Sequence, residues 1–204
     1  MNKLPRICII VFGYAAVLYP LWVRFNSLTW APGSFLQNIF PMFGLAAFSI
    51  LWLHSLSGVF EPWLRKHINF DRFVEQTAAV VLICIVAHPL LALISFDFNI
   101  GNLFAAYGVK YILIGVIGWI LLITYDVGKI LKRYDFFKKN WEMILTISTI
   151  GFLMIFFHAL ALGSDLVSGP LRIVWIFYGV TAALATIYRY GIKMFIKNKT
   201  ENHS

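Results

Sequence analysis

Two histidines, His88 and His158, lie well inside apolar runs of the chain. An ionisable side chain there is costly and marks a candidate site by default. Neutral imidazole is a good metal ligand. Two imidazoles at one level of a helical bundle can hold a single metal centre from opposite faces. A haem between helices is the natural occupant, because its flat apolar faces suit a lipid-like interior. The bland alternative is a pair of packed polar residues. Of the other three histidines, His67 and His203 fall in polar segments and read as solvated, whereas His54 is again in an apolar run. No other chemistry competes, since the sequence has no glycine-rich phosphate loop, nucleophile elbow or HExxH helix. Cys8 and Cys84, both in apolar runs, provide neither a disulfide framework nor a zinc cluster.

The elements that must position these groups are dictated by composition. Of 204 residues, 60% are hydrophobic and only 13% charged, against about 25% charged in an ordinary soluble domain. Such a chain cannot cover a soluble globule with polar surface. Disorder and nucleic-acid binding are set aside despite the net charge of +8. Six stretches reach the roughly 20 apolar residues that cross a bilayer: about 7–23, 36–58, 74–95, 104–125, 142–163 and 171–189. Turn and stop signals part them, including Ala31-Pro32-Gly33-Ser34, Glu61-Pro62 and Ser168-Gly169-Pro170. The expected fold is an all-α integral membrane protein, one six-helix transmembrane domain over residues 1–204, with the lipid bilayer as its surroundings.

Fourteen of the seventeen Lys and Arg fall on one side of this topology, in the N-terminus, the second-to-third loop, the fourth-to-fifth loop and the tail. Arg24, Lys110 and Arg172 are on the other. Both termini are therefore expected in the cytoplasm, with 190–204 as a cytoplasmic tail, in a plasma or inner membrane. The basic start reads as the first span rather than a cleaved leader, since no small-residue cleavage site follows it. The glycosylation patterns at Asn198 and Asn202 would go unused on that tail.

Depth then sorts the histidines. His88 comes 14 residues after Val74 and His158 comes 16 after Glu142, or about 21 and 24 Å along outward-running helices at 1.5 Å per residue. They reach nearly the same level in the outer half of the bilayer. His54 comes near the cytoplasmic end of the second span, as an interfacial hydrogen-bonding residue or as a proton or quinone contact. Gly151 and Ala161 share a face with His158, and Cys84 and Ala92 flank His88. These small residues are expected to leave room for a flat ligand. Lys110 and Arg172, near the outer helix ends, could offset the propionates of a haem or snorkel to the headgroups.

Two segments resemble a known family. Phe157-His158-Ala159-Leu160-Ala161-Leu162-Gly163-Ser164-Asp165-Leu166, followed by Ser168-Gly169-Pro170-Leu171, resembles the fifth-span signature of the ferric reductase-like transmembrane domain family. Phe70-Asp71-Arg72-Phe73, leading to Ala87-His88-Pro89-Leu90, is similar to its third span, and Trp141 at the start of the fifth span also fits. The resemblance covers about residues 40–190. That family includes iron reductases, NADPH oxidases and the haem-bearing membrane subunit of a methionine-sulfoxide reductase system.

The resemblance implies a six-helix core, b-type haem on histidines of the third and fifth spans, and electron transfer across the membrane. Two-haem members carry a second histidine nearer the cytoplasm on each ligand helix. Here the matching positions are near Val74 and Leu145, which cannot ligate iron. The resemblance therefore supports one outer haem b on His88 and His158, leaving about 20 Å between it and the cytoplasm by helix rise. No FAD or NADPH site is expected in this chain, so the electron donor would be a separate flavin reductase protein or a quinol. The outer acceptor would be ferric iron or a partner oxidoreductase. A haem-free family member acting as a membrane scaffold or small transporter is the competing expectation.

Overall fold

The computed structural model describes residues 3–28 and 31–193, the side chains of 192 and 193 excepted. Lys197, Lys199, His203 and the glycosylation patterns at Asn198 and Asn202 lie outside the described residues, as does the side chain of Lys193. Six helices are long and apolar enough to cross a membrane. They are α1 (Lys3–Asn26), α2 (Phe35–Val59), α4 (Phe70–Ser95), α6 (Val109–Leu131), α8 (Trp141–Leu162) and α9 (Pro170–Ile187). A π-helical turn over Tyr188–Lys193 continues α9. Short helices α3 (Glu61–Leu64), α5 (Ile100–Tyr107) and α7 (Asp135–Lys139) and a 3-10 turn at Ser164–Leu166 lie between them. No strand occurs among the described residues. Large apolar side chains such as Ile83, Ile130 and Ile173 point outward, as befits a multi-pass protein whose surroundings are lipid.

The fourth long helix differs from its expected bounds. It starts at Val109 rather than 104 and continues to Leu131. Gly108, at φ +78°, ends α5 and prevents one continuous helix. Upstream, Asn99 caps α5 by accepting from the Asn102 amide. The third long helix begins earlier than 74 for a similar reason, because Asn69 accepts from the Arg72 amide.

Three prolines inside long helices explain how neighbouring helices are tied together. A helical proline has no N–H to give the carbonyl four residues earlier, and in lipid that carbonyl must find another donor. Pro20 frees Ala16, whose oxygen accepts the Tyr178 hydroxyl at 2.8 Å. Pro41 frees Gln37, whose oxygen accepts from Arg24 Nη2 at 3.4 Å. Pro89 frees Ile85, whose oxygen accepts the Trp119 indole N–H at 2.7 Å. Each helix break becomes a cross-link to another helix.

The core is aromatic. Phe48 stacks on Trp175 and Phe152, with centroids 4.4 and 4.9 Å away, and Trp52 stacks on Tyr178 at 3.9 Å. Trp52 also donates its indole N–H to Thr181 Oγ1. These contacts join α2, α8 and α9.

Helices α6 and α8 meet along a seam of small residues running antiparallel: Gly118 against Gly151, Leu122 against Ser148, and Gly128 against Ile144. Small residues let helix backbones approach closely in a membrane, where dispersion replaces the hydrophobic effect as the driving force. Gly151 therefore serves helix packing rather than ligand space: a Cβ there would come 2.6 Å from both Gly118 O and Leu122 N. Gly151→Ala should lower stability by about 1–3 kcal/mol through overpacking. Gly13, with nothing within 4 Å of its Cβ position, supplies the control, since Gly13→Ala should be neutral or slightly stabilising. Thermal midpoints of the two variants in detergent check this.

Candidate cofactor site

His88 and His158 are built into the bundle in the same way. Nδ1 of His88, on α4, lies 2.8 Å from the Phe40 carbonyl oxygen on α2. Nδ1 of His158, on α8, lies 2.9 Å from the Tyr111 carbonyl oxygen on α6. A carbonyl only accepts, so each Nδ1 carries the proton and each Nε2 keeps its lone pair. This is the arrangement by which proteins orient a metal-ligating histidine. Both contacts lie toward the bundle end formed by the start of α2 and α6 and the close of α4 and α8.

A glycine seats each ring. A Cβ on Gly44 would lie 3.1 Å from His88 Nδ1 and Cε1, and one on Gly115 would clash with His158 outright. The same pattern thus appears twice: Phe40, Gly44 and Phe48 on α2, and Tyr111, Gly115 and Trp119 on α6. In each, an aromatic residue supplies the carbonyl, the glycine four residues on accepts the imidazole, and another aromatic follows after four more. The histidine comes 44 residues after Gly44 and 43 after Gly115. The bundle therefore contains two equivalent helix pairs, α2 with α4 and α6 with α8. The Phe40 ring also packs beside His88, with centroids 5.6 Å apart, and the Trp119–Ile85 hydrogen bond fastens α6 to α4 one turn below His88.

Of the two cations expected to face the site, Arg172 donates from Nη1 to the Leu166 and Val167 carbonyls, closing the turn between α8 and α9. Lys110 lies beside Tyr111, with its Nζ 5.7 Å from the ring centroid. A third cation is more deeply placed. Arg24 pairs with Asp165 at 3.1 Å, both side chains only 11% exposed, and donates to the Asn38 carbonyl as well as Gln37. Ser27 donates to the other Asp165 oxygen at 2.6 Å. This clasp ties α1 and α2 to the turn after α8. Burial pushes the nearby Tyr107 phenol up, and the Arg24 charge partly offsets it. Removing one partner of a buried pair leaves an uncompensated charge, at a cost of about 3–5 kcal/mol. Arg24→Leu should therefore destabilise the protein severely, and adding Asp165→Leu should recover part of the loss, as read from thermal midpoints.

Cys84 is buried in the core and Cys8 is exposed. His54 lies toward the opposite end, with Nε2 2.6 Å from Thr77 Oγ1. Val74 and Leu145 line a cavity there. Among the described residues no three His, Cys, Asp or Glu side chains gather to hold a metal ion. A centre held by His88 and His158 thus has two protein ligands, the number haem iron takes once the porphyrin supplies its four nitrogens. The donor set and its fixed tautomers fit haem. Composition and depth point to the histidines themselves. The carbonyls of Phe40 and Tyr111 and the glycines beneath the rings were signalled only by the repeated aromatic–glycine–aromatic spacing. No family model, curated protein or solved structure matches the chain.

Proposed function

We propose that the protein is a membrane cytochrome b-like electron carrier that holds one haem b between His88 and His158. The observation carrying this reading is that both histidines give Nδ1–H to a backbone carbonyl on a neighbouring helix and keep Nε2 as a ligand. The likeness of the His88 and His158 segments to the ferric reductase-like family supports it. Haem supplies reversible one-electron chemistry when bound. The chain's own residues do the rest. Gly44 and Gly115 let the imidazoles seat against α2 and α6, and the Phe40 and Tyr111 carbonyls fix their tautomers. The aromatic core below excludes water.

In this reading the basic end, with Arg65, Lys66, Arg72 and Lys129, faces the cytoplasm together with both termini. The histidine pair then lies in the outer half of a plasma or inner membrane. Lys110, next to the residue that holds His158, offsets a propionate. Arg172 contributes by closing the outer turn. Electrons enter from a separate flavin reductase protein or a quinol, and the outer acceptor is ferric iron or a partner oxidoreductase. Purified protein made with haem available should show a reduced-minus-oxidised absorption difference of a low-spin b-type haem. A colourless protein whose thermal midpoint ignores haem would overturn the proposal and leave a haem-free scaffold or transporter.

A further inference from the structure

A cavity of about 340 Å³ opens in the half of the bundle away from His88 and His158. Val74 and Leu145 line it without a donor atom, and among the described residues no cluster of metal-ligating side chains exists. Several polar groups of its lining hydrogen-bond to no described residue: the Ser55 and Tyr125 hydroxyls, the Asp126 carboxylate, the Arg189 guanidinium and one ring nitrogen of His54. The Thr77 hydroxyl donates to the Phe73 carbonyl at 2.6 Å, so at the His54–Thr77 contact the imidazole Nε2 must be the donor. His54 is thereby fixed with Nδ1 as an acceptor, and Nδ1 has no hydrogen-bond partner among the described residues. The Tyr125 hydroxyl likewise makes no hydrogen bond to a described residue. By contrast Tyr190 is committed, since Thr149 donates to Leu145 and leaves the Tyr190 hydroxyl to donate to Thr149. Trp141 and Phe152 add flat aromatic walls.

We propose that this cavity binds the head ring of a lipid-soluble quinone or its quinol. A flat ring suits the aromatic walls. The quinol can donate one hydroxyl to His54 Nδ1 and accept at the other from the Tyr125 hydroxyl, whereas the oxidised quinone, with carbonyls alone, accepts from the Tyr125 hydroxyl. The charges do not favour a phosphate headgroup: Asp126 matches Arg189, the one cation among the cavity's described lining residues, and Glu61 is already paired with Arg65. The location suits a redox partner, since Phe152 in the wall is six residues below His158, about 9 Å by helix rise. Use of the site for electron entry rests on the haem reading, whereas binding of the ring does not.

The test is a titration of the purified, delipidated full chain with decylubiquinone, followed by quenching of tryptophan fluorescence. Quenching should saturate at one quinone per chain. Ala78→Phe, which fills the cavity, should weaken binding at least tenfold. His54→Gln with Tyr125→Phe, which preserve volume, should do the same, so a folding failure of the first variant leaves the question answerable. Quenching that rises without saturation would overturn the proposal. So would an affinity unchanged in the double variant, or equal displacement by phosphatidylglycerol. The titration repeated on His88→Ala/His158→Ala protein should show binding intact, which separates this site from the haem reading.

Discussion

Replacing either His88 or His158 with alanine should abolish the low-spin b-type spectrum and reduce bound haem to background. Each imidazole is one of only two protein ligands in the proposed centre, and nothing adjacent can substitute. The flanking positions offer Cys84, packed in the core, and Ala92, which has no donor. His54→Ala and His67→Ala should leave the spectrum unchanged, because His54 is bonded to Thr77 at the other end and His67 packs beside Trp63 after α3. The outcome is read from absorption difference spectra and haem per chain in purified protein. Added imidazole should restore part of the spectrum to the alanine variants, since the pocket and the opposite ligand survive. A spectrum retained in both alanine variants would remove these residues from the site.

The second large effect is expected at a glycine that touches no cofactor. Gly115→Ala places a methyl group where the His158 ring rests, so the ring must rotate off its Tyr111 carbonyl or helices α6 and α8 must separate. Loss of the group that orients a metal ligand costs roughly 10–100-fold in affinity, and Gly115→Ala should weaken haem retention by about that factor. Gly44→Ala is the matched comparison. Its Cβ would lie 3.1 Å from His88, a contact that a small shift relieves, so its effect should be clearly smaller. Haem transfer to an apo-globin acceptor measures both. Equal retention in Gly115→Ala and the unaltered protein would show that the imidazole is not held as described. The variants' helical content should stay at the unaltered level, which separates displacement of the ligand from unfolding.

Much of this arrangement is legible in the sequence because membrane spans impose length and polarity limits that soluble helices lack. The six apolar stretches and the two deep histidines follow from those limits alone. What composition does not show is backbone geometry. The break at Gly108 moves the fourth helix because one residue adopts positive φ, and hydropathy does not register that choice. Gly151, beside His158 on a helical wheel, has space used by the α6 backbone instead of a ligand. Arg24 reads as a stray outer charge until Asp165, distant in sequence, closes on it. The proline-freed carbonyls at Ala16, Gln37 and Ile85 show where a donor is needed, yet the donors Tyr178, Arg24 and Trp119 are selected by packing.

The two-pair construction also gives the histidines a shared origin of position. Phe40 and Tyr111 present carbonyls, Gly44 and Gly115 present gaps, and His88 and His158 return on the following long helix of each pair. A change that slides α4 along α2 or α8 along α6 moves one ligand without the other. The Trp119–Ile85 bond and the Phe48–Phe152 stack tie the two pairs together against such a slide.

Haem content measured against protein concentration is the sharpest test of a single bis-histidine centre in each chain. Protein expressed with ample haem, purified and reduced with dithionite, should carry one low-spin haem b per chain. A ratio of two would mean that the half of the bundle around Val74 and Leu145 ligates iron after all. A ratio of zero would mean that His88 and His158 hold no haem.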